Sequence, residues 1–219
     1  MSTEDAVQRE AVDISERDER TRSRLIRAAV QVFDRKGYDA ASVREIVELA
    51  GVTKPALYYH FGSKEGLLAT ILKEGVREFQ AALDRVVECP GCDTRERLGA
   101  VADAVFGLFE RHLPVVRVCH AVFFGPACVA PDFDFTAFDR ALVGALERVV
   151  AEGQAHGEVS GAAPGDIALA IMGVIGAVAG RQLHGLPAER DRLRRVLDLV
   201  FDGVLMNGSH GQAAGEERQ

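Results

Sequence analysis

Helical periodicity governs this chain: apolar residues recur three and four apart from Leu25 to Val204, and no segment keeps the two-residue alternation of a half-buried strand. The expected fold class is therefore all-α. Leu25, Ala29, Val32 and Phe33 form the stripe of a first helix, ended near Lys36 by Gly37. Ser42-Val43-Arg44-Glu45 reads as a capping box, in which the serine oxygen and the glutamate three residues on satisfy the exposed backbone donors of a new helix. That second helix is short, runs to about Ala50, and turns at Gly51. Thr53 is the expected N-cap of a third helix over Lys54 to Phe61, with Val52 and Leu57 as a hydrophobic staple. Gly62 breaks it, and Ser63 caps a long fourth helix to about Val87.

Downstream, Leu98 to His112 keep helical spacing, and Pro114 separates this fifth helix from a short sixth through Phe124, closed by Gly125-Pro126. Phe135 to Val149 carry a seventh helix. Glycines at 153, 157, 161 and 165 loosen the chain before an eighth from about Asp166, and a ninth follows Pro187. Four segments are expected: an acidic mobile arm over 1–20, a helix-turn-helix domain over 21–66, a ligand-binding and dimerisation domain over 67–207, and a disordered tail over 208–219.

The 219 residues carry a formal charge of −7, which argues against a protein that coats nucleic acid without specificity. The distribution matters more: residues 21–66 hold eight Lys or Arg against five Asp or Glu, so one part of an acidic chain is basic. The N-terminus lacks the basic start and apolar core of a signal peptide, and a cytoplasmic location is expected. Ile167 to Gly180 is shorter than the roughly 20 apolar residues of a spanning helix, so no membrane partner is expected. The four cysteines are read as thiols, and Cys89-Pro90-Gly91-Cys92 as a plain loop, because its redox spacing lacks a strand-to-helix setting.

Two short helices joined by a tight glycine turn form a helix-turn-helix unit, whose second helix presents its N-terminal residues to base edges in the major groove. Lys54 can donate to guanine acceptors, while Thr53, Pro55 and Ala56 are small enough to bring the helix close to a thymine methyl. Tyr58, Tyr59, His60, Ser42, Arg44 and Lys64 are the expected phosphate contacts. From Leu25 through Gly37-Tyr38, Ser42, Ile46, Ala50-Gly51-Val52 and Leu57-Tyr58-Tyr59-His60-Phe61 to Lys64-Glu65-Gly66-Leu67-Leu68, the chain resembles the tetracycline-repressor (TetR) family signature. The resemblance implies nine helices, a homodimer built from helices eight and nine, and an inducer pocket under helices four to eight.

Seven of the eleven Phe residues fall between 106 and 138, a crowding that can line an apolar cavity. Phe106, Phe109, Phe123, Phe124, Phe138 and Met172 are its candidate walls, with Phe133 and Phe135 nearby. His112, Arg117, His120 and Gln182 could orient a ligand. The eighth helix is apolar nearly all round, and Gly173, Gly176 and Gly180 would admit a close partner helix. No nucleophile elbow, P-loop, dinucleotide fingerprint or metal motif occurs, so no catalytic residue, cofactor or metal is expected. The function expected is a sequence-specific DNA-binding repressor, released from double-stranded operator DNA by a small hydrophobic effector. The alternatives are a helical small-molecule binding protein or a pocket enzyme without a DNA role.

Overall fold

In the computed structural model the described residues are 3–124, 134 and 136–204, with side chains over 15–122, 134 and 136–203. They form eight α-helices and no β-strand: α1 (Thr3–Lys36), α2 (Val43–Ala50), α3 (Lys54–Phe61), α4 (Lys64–Val87), α5 (Thr94–Phe124), α6 (Thr136–Ala155), α7 (Pro164–Ala179) and α8 (Arg190–Val204). A 3-10 turn, Gly180–His184, follows α7 directly. The all-α class stands. The ninth expected helix is absorbed because Pro114 kinks α5 rather than ending it. His112 takes the non-helical angles φ −124°, ψ 28°, and the helix resumes beyond it. The Gly125-Pro126 turn, Cys128, Phe133, Phe135 and the tail over 208–219 lie outside the described residues.

Residues 3–20, expected to stand apart from the first helix, continue it. The described side chains of this stretch, over 15–20, are all exposed and include a pair one turn apart, Arg20–Glu16 at 3.6 Å.

The described residues divide into two units, one from Met1–Val76 with Pro114–Asp134, the other from Arg77–Leu113 with Phe135–Gln219. In the first, Leu25, Ala29, Val32 and Phe33 of α1, Ile46 and Val47 of α2, and Leu57 of α3 are all buried. So are Leu67, Leu68, Ile71 and Leu72 of α4, so the early turns of that helix continue the unit past the boundary expected at residue 66. In the second, Phe79, Leu98, Phe106, Leu146, Val149, Ile171, Ile175, Leu193 and Phe201 belong to one continuous core.

Two further expectations change. Cys89 and Cys92 are joined in a disulfide rather than left as thiols. The turn between α4 and α5 brings their Cα atoms to 5.7 Å, within the range a disulfide spans, through Gly91 at φ +82°. Cys119 is a free thiol that burial pushes up to about 12, so it stays neutral. The run Pro164–His184 is 21 residues long with a mean hydropathy of 1.5, which by length and composition would suffice to cross a membrane. The inner face of α7, formed by Ile167, Ala168, Ile171, Ile175 and Val178, is instead buried in the core of its unit.

Candidate nucleic-acid interface

Local chemistry fixes the two short helices. Ser42 is the N-cap of α2, and both arms of the capping box are made: Glu45 N–H donates to Ser42 Oγ at 3.3 Å, and Ser42 N–H to Glu45 Oε2 at 3.1 Å. Lys36 Nζ lies 2.5 Å from the other carboxylate oxygen. The Lys36 ammonium, followed by the Ser42 donors, holds the Glu45 carboxyl down at about 2. At the other end Gly51 adopts φ +63°, ψ 42°, where a side chain would be strained, and Val52 N–H closes back on Val47 O at 3.0 Å. Arg24 of α1 seals this turn, donating from Nη2 to Gly51 O at 3.2 Å.

Thr53 is the N-cap of α3 at φ −93°, ψ 158°, but its side chain makes no capping bond. The missing N–H of Pro55 leaves one fewer backbone donor to satisfy in the first turn. Leu57 is fully buried and anchors the helix, stabilising it by about 2 kcal/mol. With Leu57 inward, the opposite face is presented to solvent: Thr53, Lys54 and Pro55 are exposed, Tyr58 is 50% and Tyr59 78% exposed, and Ala56 is half-buried.

The remaining residues expected at this surface divide. Ser42 and Arg44 are exposed, and Arg44 holds only an exposed pair with Glu48 at 2.7 Å. His60 turns inward instead: its side chain is 7% exposed and Nε2 lies 3.5 Å from Asp18 Oδ1 of α1. Lys64 also turns inward, donating to Tyr38 O at 3.0 Å and Ala41 O at 3.1 Å, with its ammonium 4.2 Å from the Tyr38 ring. Both side chains therefore pack toward α1 and the loop that follows it. Burial, then the charge of Glu65, pushes the Tyr38 phenol above its ordinary range.

The expected ligand residues are spread over both units. Phe106 is fully buried in the second core, with the Arg190 guanidinium 5.4 Å over its ring. Phe109, Phe138 and Met172 pack half-buried against that core, Phe138 with its ring 5.7 Å from Phe79. His112 sits at the kink with Nε2 3.1 Å from Glu78 Oε1. Gln182 lies in the 3-10 turn, where its buried Nε2 has no hydrogen-bond partner. In the first unit, Arg117 Nη1 lies 3.7 Å from Asp34 Oδ1, and His120 is half-buried. The side chains of Phe123 and Phe124 lie outside the described residues. Among the described residues no group of three or more His, Cys, Asp or Glu could hold a metal ion.

Comparison with known proteins places this geometry. Residues 25–71, which span α2, α3 and the flanking turns of α1 and α4, match the bacterial regulatory proteins of the tetR family. Over 94 residues the chain is 40% identical to the HTH-type transcriptional activator FasR of Mycolicibacterium smegmatis, covering 43% of this chain and 42% of that protein. Over 140 residues it is 26% identical to the HTH-type transcriptional repressor NicS of Pseudomonas putida, covering 64% and 66%. The chain thus matches less than half the length of the FasR relative. A gamma-butyrolactone receptor described as ArpA-like shares the fold with a TM-score of 0.67 and 25% identity, over 88% of this chain and 92% of that one.

Proposed function

We propose that this chain, whose residues 25–71 match the tetR family of bacterial regulatory proteins, is a dimeric transcriptional repressor that leaves its operator when a small, largely hydrophobic effector binds. The exposed face of α3 carries the reading. Leu57 fixes the helix from beneath, and Thr53, Lys54, Pro55, Tyr58 and Tyr59 stand outward together, the pattern of a helix that enters the major groove. Lys54 serves as the donor to guanine edges, and Ala56 lets the backbone approach. The tyrosine hydroxyls, with Ser42 and Arg44 at the start of α2, take phosphate oxygens and set the register. His60 and Lys64 act from behind, holding α3 and the start of α4 against Asp18 and the Tyr38–Ala41 carbonyls.

The effector part rests on the second unit. Phe106, Phe109, Phe138 and Met172 supply an apolar environment, and the unpaired Nε2 of Gln182 is a donor whose buried state costs about 1–3 kcal/mol until an acceptor meets it. The likeness to a gamma-butyrolactone receptor supports a small organic effector. Moving operator occupancy from 99:1 to 1:99 needs about 5.5 kcal/mol of differential effector affinity between the two states.

The test is binding to a labelled duplex from the DNA just upstream of the chain's own gene, over a salt series, beside Lys54→Ala and Tyr59→Phe. The expected result is salt-sensitive binding preferred over random DNA, lost or relaxed by Lys54→Ala, with transcription from that promoter falling as protein is added. Equal binding to random duplexes by wild type and Lys54→Ala would overturn the reading. A rise in transcription would overturn its repressor sign.

A further inference from the structure

Cys89 and Cys92 sit in the turn between α4 and α5, within the second unit, and stand outside the surfaces assigned above to DNA and effector. The backbone there is set without help from the sulfurs. Pro90 fixes its own φ, Gly91 takes the left-handed position after it at φ +82°, and Cys92 N–H donates to Cys89 O at 3.4 Å, the pattern of a type II turn. The start of α5 is held separately by a capping box, in which Glu96 N–H donates to Asp93 Oδ1 at 2.7 Å and Asp93 N–H to Glu96 Oε2 at 3.0 Å. A disulfide that encloses so short a loop removes little freedom from the unfolded chain, so stability is a poor account of it. Access favours a chemical account. Both cysteines are half-buried, Pro90 and Gly91 between them are exposed, and nothing lies within 4 Å of where a Gly91 Cβ would stand.

We propose that Cys89 and Cys92 form a reversible thiol–disulfide exchange site, a redox-sensitive clip between the end of α4 and the start of α5 whose reaction partners are small thiols and their disulfides. In the reducing direction a thiolate RS⁻ attacks one Sγ, the S–S bond breaks, and the other sulfur leaves as a thiolate that takes up a proton. A second thiol then attacks the RS sulfur of the mixed disulfide and RSSR departs. Two RSH are oxidised to RSSR, and the protein disulfide gains two electrons and two protons. Because the Pro90–Gly91 turn is a backbone feature, the freed thiols stay within reach of each other, and the reverse reaction with RSSR closes the ring. The bond acts locally. It ties the chain just past the last α4 hydrogen bond, Glu88 N–H to Asp84 O at 3.3 Å, to the first turn of α5, beside a second tie from Arg97 Nε to Val87 O at 3.0 Å. Reduction leaves Arg97 to hold that end and lets the last turn of α4 fray. On the operator-binding reading the chain works among intracellular thiols, where disulfides are usually transient or redox-sensing, but the exchange chemistry does not depend on that reading.

The experiment uses the folded full chain in buffers of reduced and oxidised glutathione at varied ratio, quenched with iodoacetamide and read peptide by peptide by mass spectrometry. Cys89 and Cys92 should gain and lose alkylation together as the ratio shifts, while Cys119, a neutral thiol, is alkylated to the same extent at every ratio. Amide hydrogen exchange from Asp84 to Glu88 should be several-fold faster in the reduced chain. Cys89→Ser/Cys92→Ser should show the faster rate in every buffer, with the helical circular-dichroism signal unchanged. A disulfide that glutathione reduces only after the chain is denatured, or thiols that stay open to alkylation at every ratio, would overturn the exchange site. Equal exchange rates in the oxidised chain and the double variant would overturn the clip. None of these readouts involves DNA, so a failure here is distinct from a failure of the operator reading.

Discussion

Gly66, in the first turn of α4, shows how little freedom a single position has in this unit. A Cβ built there would lie 2.0 Å from the Phe61 carbonyl oxygen, which is backbone and cannot swing aside, while Gly66 N–H is held by Ser63 Oγ at 3.0 Å. The glycine is required by close approach. Gly66→Ala should lower stability by about 1–3 kcal/mol and weaken operator binding, whereas Gly99→Ala in α5, with nothing within 4 Å, should raise stability by about 0.5–1 kcal/mol. Thermal melts of the two variants check this, and a neutral Gly66→Ala would contradict the steric argument. Glu45 makes a second prediction at this scale. Its carboxyl is held at about 2 by Lys36 and Ser42, against an ordinary 4.5, so the folded state favours the charged form. Its contribution is complete above 4.5 and disappears as pH falls toward 2. The difference in melting temperature between wild type and Glu45→Gln, which keeps the cap but not the charge, should stay flat from pH 7 to about 5.5 and shrink below 4.5. A difference that persists at pH 2 would refute the assignment.

Between elements, the contact of α6 with the start of α5 is as demanding. Gly153 is buried inside α6, and a Cβ there would meet Thr94 Oγ1 at 2.4 Å and Val159 Cγ2 at 3.0 Å. Thr94 cannot yield, because its hydroxyl and N–H both donate to Glu158 Oε2, at 2.6 and 2.9 Å, bonds that pull the Glu158 carboxyl below its ordinary value. Alanine normally favours a helix over glycine by about 1 kcal/mol, yet here overpacking outweighs propensity, and Gly153→Ala should destabilise by about 1–3 kcal/mol. Adding Thr94→Ala to Gly153→Ala should cost less than the two changes summed, which a double-mutant cycle in denaturant measures. Fully additive costs would show that the clash is relieved elsewhere. Gly153 also marks the limit of what the amino-acid order reveals, since it reads as one of several loosening glycines until Thr94, fifty-nine positions away, is seen against it. The bounds of α2 and α3 were legible because Ser42, Glu45 and Gly51 act within one turn of where they stand. The outward face of α3 was legible because burial of Leu57 dictates it. The inward partners of His60 and Lys64 were not legible for the opposite reason: Asp18 and Tyr38 come from α1 and the loop after it, and no local pattern shows a polar side chain turning inward. Pro114 signalled a stop, but helix-forming residues on both sides carry the helix through a kink at His112.

At the scale of the molecule, the outer face of α7 and α8 decides whether one chain is sufficient. Leu169 on α7 is 58% exposed and Leu199 on α8 is 75% exposed, and both helices belong to the second unit. On α7 the exposed positions near Leu169 are Ala170, Gly173, Gly176 and Ala177, so backbone can approach backbone there. Gly173 and Gly176 have nothing within 4 Å of where a Cβ would stand. On α8 the exposed Leu199 and Gly203 flank half-buried Val196 and Val200. A helix as apolar as α7 keeping this face in water loses the stabilisation its residues would gain from burial, and a second copy of the same face would meet it with matched chemistry. On the proposed operator-binding function, pairing would also answer a demand of the DNA, since one short recognition helix contacts too few bases for tight binding, and two copies would address half-sites about one helical turn apart. Wild type should therefore sediment at twice the 23.6 kDa chain mass at micromolar concentration. Leu199→Arg combined with Leu169→Arg should sediment at the chain mass, keep the helical circular-dichroism signal, and bind the operator at least 100-fold more weakly, about 2.7 kcal/mol or more. Loss of binding without loss of the dimer would assign these leucines another role. A wild type that runs as a monomer and still binds its operator tightly would show that this face serves something other than a second copy of the chain.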